Sequence, residues 1–345
     1  MEKGDRNLLC AAPSGPFRQK VPVPFFHSGD KLKGEEFNRV RRVLAGDTTP
    51  PPSRAQQKPT PAAEQRTVEP PRNIPLAESA NEKARELETL DEKFIRDVAH
   101  MPPSAASYVR RHPCLSLALM QKWRVGVLPQ DGGPDKRGWS LRGQLLYPVQ
   151  GEDGKLLAWV PARRDPQFKT KEQAFNALPP DQRAKEKKPA KHRFPVDFHR
   201  GLELFGQHAS RLNEPGYREA VARYGIIVVE GFNDVLGLDG LGVPAVAIMS
   251  NKITDEQVAK IECWAKTLAG GKVTLLFDGD EAGDAGAKEA LWLFAQRGLD
   301  VRLGWSQAMY GGKFISRQPE SLRVDEWDTI RTYLLSGQAS GGSLD

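Results

Sequence analysis

Three carboxylates follow segments with the pattern of buried strands, so they could act together chemically. Glu230 directly follows the apolar run 226–229, and Asp278 and Asp280 follow the apolar segment 272–277. If the two strands are near neighbours, their carboxyl ends meet at one edge of a sheet and the acids converge there. Two unit charges about 5 Å apart repel each other by roughly 3 kcal/mol at an effective dielectric constant of about 20.

A divalent cation would remove this repulsion. Mg²⁺ prefers one or two carboxylates, with its remaining positions taken by waters and substrate phosphates, and acids at the ends of parallel strands meet that preference. Glu230 could instead act as a general base, because negative neighbours raise the affinity of a carboxylate for a proton. The residues by themselves leave both roles open.

An EF-hand calcium loop is one competing interpretation of the second acidic cluster. Asp278, Asp280, Gly283 and Glu289 have the spacing of the first, third, sixth and twelfth positions of such a loop. The fifth position is Ala282, which offers no ligand, and the preceding segment has the pattern of a strand rather than a helix. The context that an EF-hand requires is therefore missing.

An aspartyl phosphotransferase and a purely structural role are two further interpretations. A phosphotransferase of the DxD type would use the acid after the first strand of the sheet, and that strand ends in Glu230. Asp280 or Asp284 could simply cap the helix that follows, and Asp284 is expected to do no more than that. Capping does not account for Glu230 or Asp278, which remain the chemical candidates.

The elements predicted around these acids alternate between strand and helix. From residue 224 onward, the predicted strands are 226–229, 245–248, 272–277 and 300–303, and the predicted helices are 234–241, 255–268 and 285–297. Thr254 is expected to cap the second helix, whose first turn holds two acids as the helix dipole favours. Such alternation predicts a mostly parallel sheet covered on both faces, with a ligand site beyond the carboxyl ends of its strands.

Upstream of residue 224 the pattern is mixed. The predicted elements there are helices at 77–100, 104–111 and 116–123 and strands at 144–150 and 155–160. Asp153 and Gly154 mark the turn of a β-hairpin between those two strands. Residues 47–75 are rich in Pro, Gln, Ala and Glu and poor in large apolar groups, which is typical of a linker.

A basic loop is predicted after the hairpin, at 161–200, and this segment carries the excess positive charge. It contains eleven Lys and Arg against five Asp and Glu, a balance of +6 that equals the net charge of the whole chain. A basic patch of this kind suits a polyanion, because each neutralised phosphate releases condensed counterions. The alternative is a solvated loop without a partner, since 184–190 has ordinary loop composition.

Other features of the 345-residue chain argue against several classes of protein. No apolar run approaches the length of a membrane span and the start lacks the apolar stretch of a signal peptide, so a cytoplasmic location is expected. Cys10, Cys114 and Cys263 lie far apart, which argues against a disulfide framework and a zinc site. The Gly-Gly-Lys at 270–272 is followed by Val, so neither a P-loop nor a fused ATP-driven helicase is expected.

Two motifs resemble a known family. The segments 228–234 (Val-Val-Glu-Gly-Phe-Asn-Asp) and 275–283 (Leu-Leu-Phe-Asp-Gly-Asp-Glu-Ala-Gly) are similar to the two halves of the TOPRIM signature, in the version found in bacterial DnaG-type primases. The resemblance extends to segments that look like the upstream part of the primase core, at 106–129, 146–159 and 191–206. In all it covers roughly residues 105–304.

The resemblance implies both a site and a reaction. Glu230, Asp278 and Asp280 would be the catalytic acids that hold Mg²⁺ or Mn²⁺, and Asp234 would be a supporting acid on the same strand-to-helix turn. The implied contacts with nucleic acid or nucleotide are Arg163, Lys191, Arg193 and Lys252. The implied enzyme is a DNA primase, a metal-dependent nucleotidyltransferase that joins ribonucleoside triphosphates into short RNA primers on a single-stranded DNA template.

The sequence also departs from the family. The zinc-binding module that precedes the primase core has no matching set of ligands here, and the acidic loop after the last strand has no clear counterpart at 312–317. Such a protein is expected to depend on a replicative helicase or another replication protein, in the replication of a plasmid, phage or other mobile element. Two alternatives stay open, a TOPRIM nuclease that cuts DNA phosphodiester bonds and a non-catalytic factor that binds single-stranded DNA.

The predicted fold class is α/β, with a Rossmann-like parallel TOPRIM sheet after a smaller mixed α+β subdomain. The N-terminal region is expected to be largely disordered, because its first 46 residues have too few apolar positions for a core of their own. The predicted divisions are an N-terminal extension (1–80), a primase-core-like subdomain (81–215), a TOPRIM domain (222–310) and a C-terminal helix and tail (311–345).

Overall fold

The structure, a computed structural model, describes most of the chain between residues 70 and 336. The described ranges are 70–131, 135–136, 139–162, 166–183, 185–186, 189–208, 211 and 214–336. The disorder predicted for the N-terminal extension therefore lies outside the described residues as far as residue 69. Arg163, one of the implied nucleic-acid contacts, also lies outside them.

Short helices and turns open the described chain. They are α1 (Glu82–Arg85), α2 (Pro103–Arg111) and α3 (Leu117–Lys122), with 3₁₀ turns at Leu76–Glu78, Leu90–Lys93, Val98–His100 and Pro113–Leu115. The continuous helix predicted for 77–100 is therefore wrong. Phe94 buries its ring against Trp159, and Ile95 then pairs with Val127 in a β-bridge. The backbone must be extended there, so tertiary contacts override the local helix propensity.

A small antiparallel sheet follows these helices. Its strands and those of a separate hairpin are β1 (Gly126–Val127), β2 (Asp135–Lys136), β3 (Trp139–Ser140), β4 (Leu145–Gln150) and β5 (Leu156–Ala162). The sheet order is β1-β4-β5, while β2 pairs with β3 alone. The predicted hairpin is confirmed, because β4 pairs antiparallel with β5 across a turn in which Gly154 has a φ of 82°. Glycine adopts that left-handed conformation without a steric penalty.

Two helices interrupt the basic segment that was predicted as a continuous loop. They are α4 (Pro166–Ala177) and α5 (Pro180–Arg183), and a 3₁₀ turn follows at Arg200–Leu202. Both helices begin at a proline, whose fixed φ and missing N–H suit the first helical position. The sequence between the prolines is rich in Lys, Gln, Glu and Ala, which favour helix. The loop expectation is wrong for these residues because their helix propensity outweighs their charge.

The predicted parallel sheet is confirmed in the second half of the chain. The elements there are α6 (Pro215–Tyr224), β6 (Ile226–Val229), α7 (Phe232–Gly240), β7 (Ala245–Ala247), α8 (Asp255–Leu268), β8 (Lys272–Leu275), α9 (Glu281–Gln296) and β9 (Asp300–Leu303). The strand order is β7-β6-β8-β9, and all neighbouring strands are parallel. The strand that leads to Glu230 therefore lies directly beside the strand that leads to Asp278.

Alternate residues of β6 enter two different cores, which is how the sheet is covered on both faces. Ile226 and Val228 pack with residues of α8 and α9. Ile227 and Val229 belong to a core that also includes residues of α7 and Tyr147 of the upstream sheet. Because successive side chains of a strand point to opposite faces, a run of four apolar residues can contribute to both cores.

The starts of α8 and α9 show how short polar signals begin a helix. The predicted cap of α8 is confirmed, because the Thr254 hydroxyl accepts from the N–H of Gln257 at 3.2 Å. α9 begins earlier than predicted. Its cap is Asp280, whose carboxylate accepts from the N–H of Gly283 at 2.8 Å. Asp280, in the loop between β8 and α9, thus begins the helix.

After β9 the chain returns to the edge of the sheet where the acids lie. It forms 3₁₀ turns at Met309–Gly312 and Pro319–Ser321 and ends, within the described residues, in α10 (Val324–Ser336). Trp327 and Ile330 of α10 are buried in the core that contains Ile227. None of the helices in the described ranges has the length and apolar character needed to cross a membrane.

Candidate active site

The ends of β6 and β8 bring Glu230 and Asp278 into direct contact. The backbone N–H of Asp278 donates to Glu230 Oε1 at 3.0 Å. The two residues are 48 positions apart in the chain, and the parallel pairing of their strands places them at the same edge. The structure therefore brings together Glu230 and Asp278, two of the three acids in the predicted set.

Burial and mutual repulsion make both carboxyl groups hard to ionise. Burial, followed by the charges of Asp278 and Asp280, raises the pKa of Glu230 to about 7. Burial also raises the pKa of Asp278, and the charges of Asp280 and Glu320 act in the same direction. Oδ1 of Asp278 is buried and has no hydrogen-bond partner. The hydrogen-bond donors around these two carboxyl groups therefore do not compensate all of the negative charge at this edge of the sheet.

The donor set fits a hard divalent cation. Carboxylate oxygens are the ligands that Mg²⁺ and Mn²⁺ prefer, and Oδ1 of Asp278 is available as one. Among the residues that the structure describes, no three His, Cys, Asp or Glu side chains are placed to hold one metal ion together. The residues therefore fit a cation held by one or two carboxylates, with waters and substrate oxygens as the other ligands.

Asp280 turns toward the helix that follows it. Its Oδ1 accepts from the N–H of Gly283 as the cap of α9, and the residue is exposed. Asp284 was expected to provide that cap and does not. Because α9 starts before Asp284, this residue lies inside the first turn of the helix. Its carboxylate accepts from Gln307 Nε2 at 3.2 Å. The role of Asp280 as a metal ligand stays a prediction.

Asp234 braces the turn between β6 and α7. It is buried and accepts from the backbone N–H of Gly231 at 2.8 Å and from that of Glu320 at 3.2 Å. Burial, followed by the charges of Asp278 and Glu320, raises the pKa of Asp234 well above its usual value. The carboxyl group therefore connects the turn that follows Glu230 to a distant part of the chain.

Two residues that the sequence did not single out complete the acidic edge. Gln318 donates from Nε2 to Asp278 Oδ2 at 2.9 Å. Glu320 Oε1 lies 3.5 Å from His112 Nε2. The only local signal is an acid beside Pro319 after the last strand, and no spacing rule connects that position to the ends of β6 and β8.

Two clefts meet at Asp278. The larger has a volume of about 420 Å³ and is lined by Glu230, Asp234 and Asp278 together with upstream residues that include Tyr108, Arg111, His112, Lys191 and His192. The other has a volume of about 400 Å³ and is lined by Asp278, Asp280, Ser316, Arg317, Gln318 and Ser321. Asp278 and Gln318 line both clefts, so this pair lies at their boundary.

The predicted cations differ in their relation to the larger cleft. Lys191 lines it, and the charge of Lys191 opposes the rise in the pKa of Asp278. Arg193 and Lys252 are not among the described residues that line it. Arg111 of α2 does line it, although no sequence pattern distinguishes this arginine from its neighbours. The cationic wall of the cleft is therefore formed by Lys191 and Arg111.

A buried chain of hydrogen bonds fixes the upstream wall against the turn after Glu230. Tyr147 of β4 donates its hydroxyl to Asn233 Oδ1 at 2.6 Å. Asn233 of α7 donates from Nδ2 to the Tyr108 hydroxyl of α2 at 2.8 Å. Directional contacts of this kind, away from water, hold three elements in one arrangement. The cleft is therefore preformed.

The sheet matches a known domain family. Residues 225–303 match the family model of the Toprim domain. The matched range contains all four strands of the parallel sheet and the acids Glu230, Asp234, Asp278 and Asp280. A search of curated proteins finds no match to this chain.

Several solved primase structures are similar to this chain. The zinc-binding and RNA polymerase domains of Aquifex aeolicus primase give a TM-score of 0.48 at 18% identity, over 72% of this chain and 59% of that one. The RNA polymerase domain of Mycobacterium tuberculosis primase DnaG gives a TM-score of 0.49 at 19% identity, and the match covers 74% of this chain and 81% of that one. A DNA primase domain from Pseudomonas aeruginosa gives a TM-score of 0.48 at 19% identity, and the match covers 72% of this chain and 76% of that one.

The chain spans 59% of the length of the Aquifex aeolicus structure that it matches. The strand order, the two acidic strand ends and the match to the family model agree on the same residues. This chain therefore contains a Toprim domain, at residues 225–303.

Proposed function

We propose that this protein is a primase-like nucleotidyltransferase that joins ribonucleoside triphosphates into short RNA primers on single-stranded DNA, with Mg²⁺ or Mn²⁺ as its cofactor. The observation that supports this most is the contact between Glu230 and Asp278 at the ends of neighbouring strands, beside a cleft lined by Lys191 and Arg111. Nucleotidyl transfer needs acids that hold a metal and cations that hold phosphates, and this cleft presents both.

The acids of the site have different proposed roles. Asp278 offers Oδ1 as one proposed ligand, and either Glu230 or Asp280 would supply a second carboxylate oxygen. Asp234 holds the turn after Glu230 in place through two backbone N–H groups. A bound divalent cation would neutralise charge on the triphosphate and favour ionisation of the attacking 3′-hydroxyl. The fixed strand ends keep the carboxylates in place before substrate arrives, so little reorganisation is required.

The basic segment is the proposed contact with nucleic acid. Lys191 lines the cleft beside the acids, and Arg163 and Arg193 belong to the same segment of net charge +6. These residues would hold phosphates of the template, and Lys252 would reach a phosphate of the nucleotide. Contacts of this kind release counterions, so binding should weaken steeply as salt increases.

Partner proteins are part of the proposal. No P-loop occurs in these 345 residues, and the proposed partner for strand separation is a replicative helicase. We place the protein in the replication of a plasmid, phage or other mobile element. The expected physical evidence is a complex between the full chain and such a helicase, measured by sedimentation or by co-elution.

One assay separates primer synthesis from the alternatives. The full chain is incubated with single-stranded DNA, labelled ribonucleotides and Mn²⁺, beside the variants Asp278→Asn and Asp284→Asn. We expect primers from the wild type and from Asp284→Asn, because Asp284 accepts from Gln307 and does not line either of the two clefts among the described residues. We expect none from Asp278→Asn, which keeps the shape of the side chain and removes its charge.

The other outcomes identify different proteins. Template that is shortened by the wild type and left intact by Asp278→Asn would indicate a nuclease. Binding of single-stranded DNA without either product, equal in both variants, would indicate a non-catalytic replication factor. Asp278→Asn is a better probe than a change at Asp280, because Asp280 also caps α9 and its loss would disturb the helix.

A further inference from the structure

We infer that Gln318 is a positioning residue for Asp278, because its carboxamide occupies one carboxylate oxygen and leaves the other as the metal ligand. Gln318 Nε2 donates to Asp278 Oδ2 at 2.9 Å, whereas Oδ1 is buried and has no partner. The two oxygens are therefore distinct, one held by the chain and one available. The inference rests on the divalent cation of the proposed function.

The backbone just before Gln318 is clamped to the acidic loop. Ser316 donates its N–H to the carbonyl of Gly279 at 2.6 Å, and Gly279 donates its N–H to the carbonyl of Arg317 at 2.7 Å. A Cβ on Gly279 would lie 2.2 Å from the carbonyl oxygen of Phe314, so only glycine allows this approach. Ser316 has a φ of 58°, a strained conformation that persists where the surroundings hold it.

The chain on both sides of the amide has further anchors. The Arg317 guanidinium lies 3.1 Å from the buried Glu326 carboxylate, measured from Nη2 to Oε2. Glu320 donates its N–H to Asp234 Oδ1 at 3.2 Å. The backbone that carries Gln318 is thus fixed at points before and after it, and its side chain has a rigid base from which to orient Asp278.

An amide supports Asp278 without adding charge. Glu230, Asp280 and Glu320 already act on Asp278 or on one another as negative neighbours. A carboxylate at position 318 would repel them, while the N–H of an amide stabilises the charged form of Asp278. Gln318 is itself exposed, so its substitution leaves the core intact.

The test is the affinity for Mn²⁺ alone, measured by isothermal titration calorimetry on the full chain. Gln318→Met keeps the length of the side chain and removes the donor, and Gln318→Ala removes both. Groups that orient a metal ligand typically contribute 10-fold to 100-fold in affinity, so we expect both variants to bind Mn²⁺ roughly 10-fold to 100-fold more weakly than the wild type.

Gln307→Ala is the matched control. Gln307 Nε2 also donates to a carboxylate at the start of α9, that of Asp284, at 3.2 Å. Its loss should leave the Mn²⁺ affinity unchanged. Thermal unfolding in EDTA should be alike for the wild type and the Gln318 variants, which would show that weaker binding is not a result of unfolding.

Each outcome has a separate meaning. Mn²⁺ affinity of Gln318→Met equal to that of the wild type, or higher, would overturn the positioning role while the metal site stands. A wild type that binds no Mn²⁺, or that binds it no better than Asp278→Asn, would overturn the metal site of the proposed function, and the positioning role with it.

Discussion

The backbone of Gly237 in α7 lies so close to that of Glu320 that a Cβ on Gly237 would be 2.7 Å from the Cα of Glu320. Glycine weakens the interior of a helix, where alanine is the favoured residue. Here its lack of a side chain lets the turn Pro319–Ser321 approach α7 closely enough for the N–H of Glu320 to reach Asp234. The contact thus supports the acidic edge.

Gly237→Ala should therefore destabilise the protein. The backbone of the turn would have to move, which should lower the free energy of unfolding by about 1 to 3 kcal/mol. Gly216→Ala in α6 is the matched control, since a Cβ there meets nothing within 4 Å. That change should raise the free energy of unfolding by up to about 1 kcal/mol. Denaturant unfolding measures the free energy of unfolding of both variants. A change of the same sign in both would contradict the close contact between Gly237 and Glu320.

Glu230→Gln should stabilise the protein when metal is absent. The amide keeps Oε1 as the acceptor for the N–H of Asp278 and removes a charge that is buried beside Asp278 and Asp280. In EDTA at about pH 8 we expect the free energy of unfolding to rise by about 1 to 2 kcal/mol. Glu281→Gln, a change at an exposed position, should have no effect. A less stable Glu230→Gln would show that repulsion is not dominant here.

Lys191→Ala should weaken the binding of single-stranded DNA in a salt-dependent way. A lysine that contacts one phosphate contributes about one unit to the slope of log K against log salt, so the slope should become shallower by about that amount. Lys266→Ala removes the same charge from α8, where Lys266 pairs with Glu262 at 2.7 Å. Fluorescence anisotropy over a range of salt concentrations gives the slopes. An unchanged slope for Lys191→Ala would remove this residue from the template path.

His208 should make the protein sensitive to mild acid. Burial, followed by the charge of Arg211, lowers the pKa of His208 from 6.5 to about 4. A group with a lowered pKa binds its proton more readily in the unfolded chain, so stability is lost as the pH falls from above 6.5 toward 4. Between about pH 7.5 and about pH 5 this loss should be about 1 to 2 kcal/mol.

The check for His208 is urea unfolding of the wild type and of His208→Gln at both pH values. The variant cannot take up the proton, so it should lose less stability than the wild type on acidification. Carboxylates elsewhere affect both proteins equally, so the difference between them isolates the histidine. Equal pH dependence would mean that the ring is solvated in the folded state.

Local pattern predicted most of the parallel sheet. The runs around Val228 and Leu275 are short, apolar and separated by amphipathic helices, and that arrangement has few stable alternatives to a sheet with helices on both faces. The upstream region was predicted less well. Tertiary contacts of Phe94 and Ile95 broke the helix predicted for 77–100, and helix propensity converted part of the basic loop into α4.

That acids follow two strands of this chain can be predicted from the sequence, because the side chains that make a strand buried are local and so is the residue that comes next. Which of these acids meet depends on the tertiary structure. It placed Glu230 against Asp278, turned Asp280 toward the start of α9, and brought Gln318 to the same edge. Contacts between residues far apart in the chain depend on how the helices and sheets pack, and no local pattern encodes that packing.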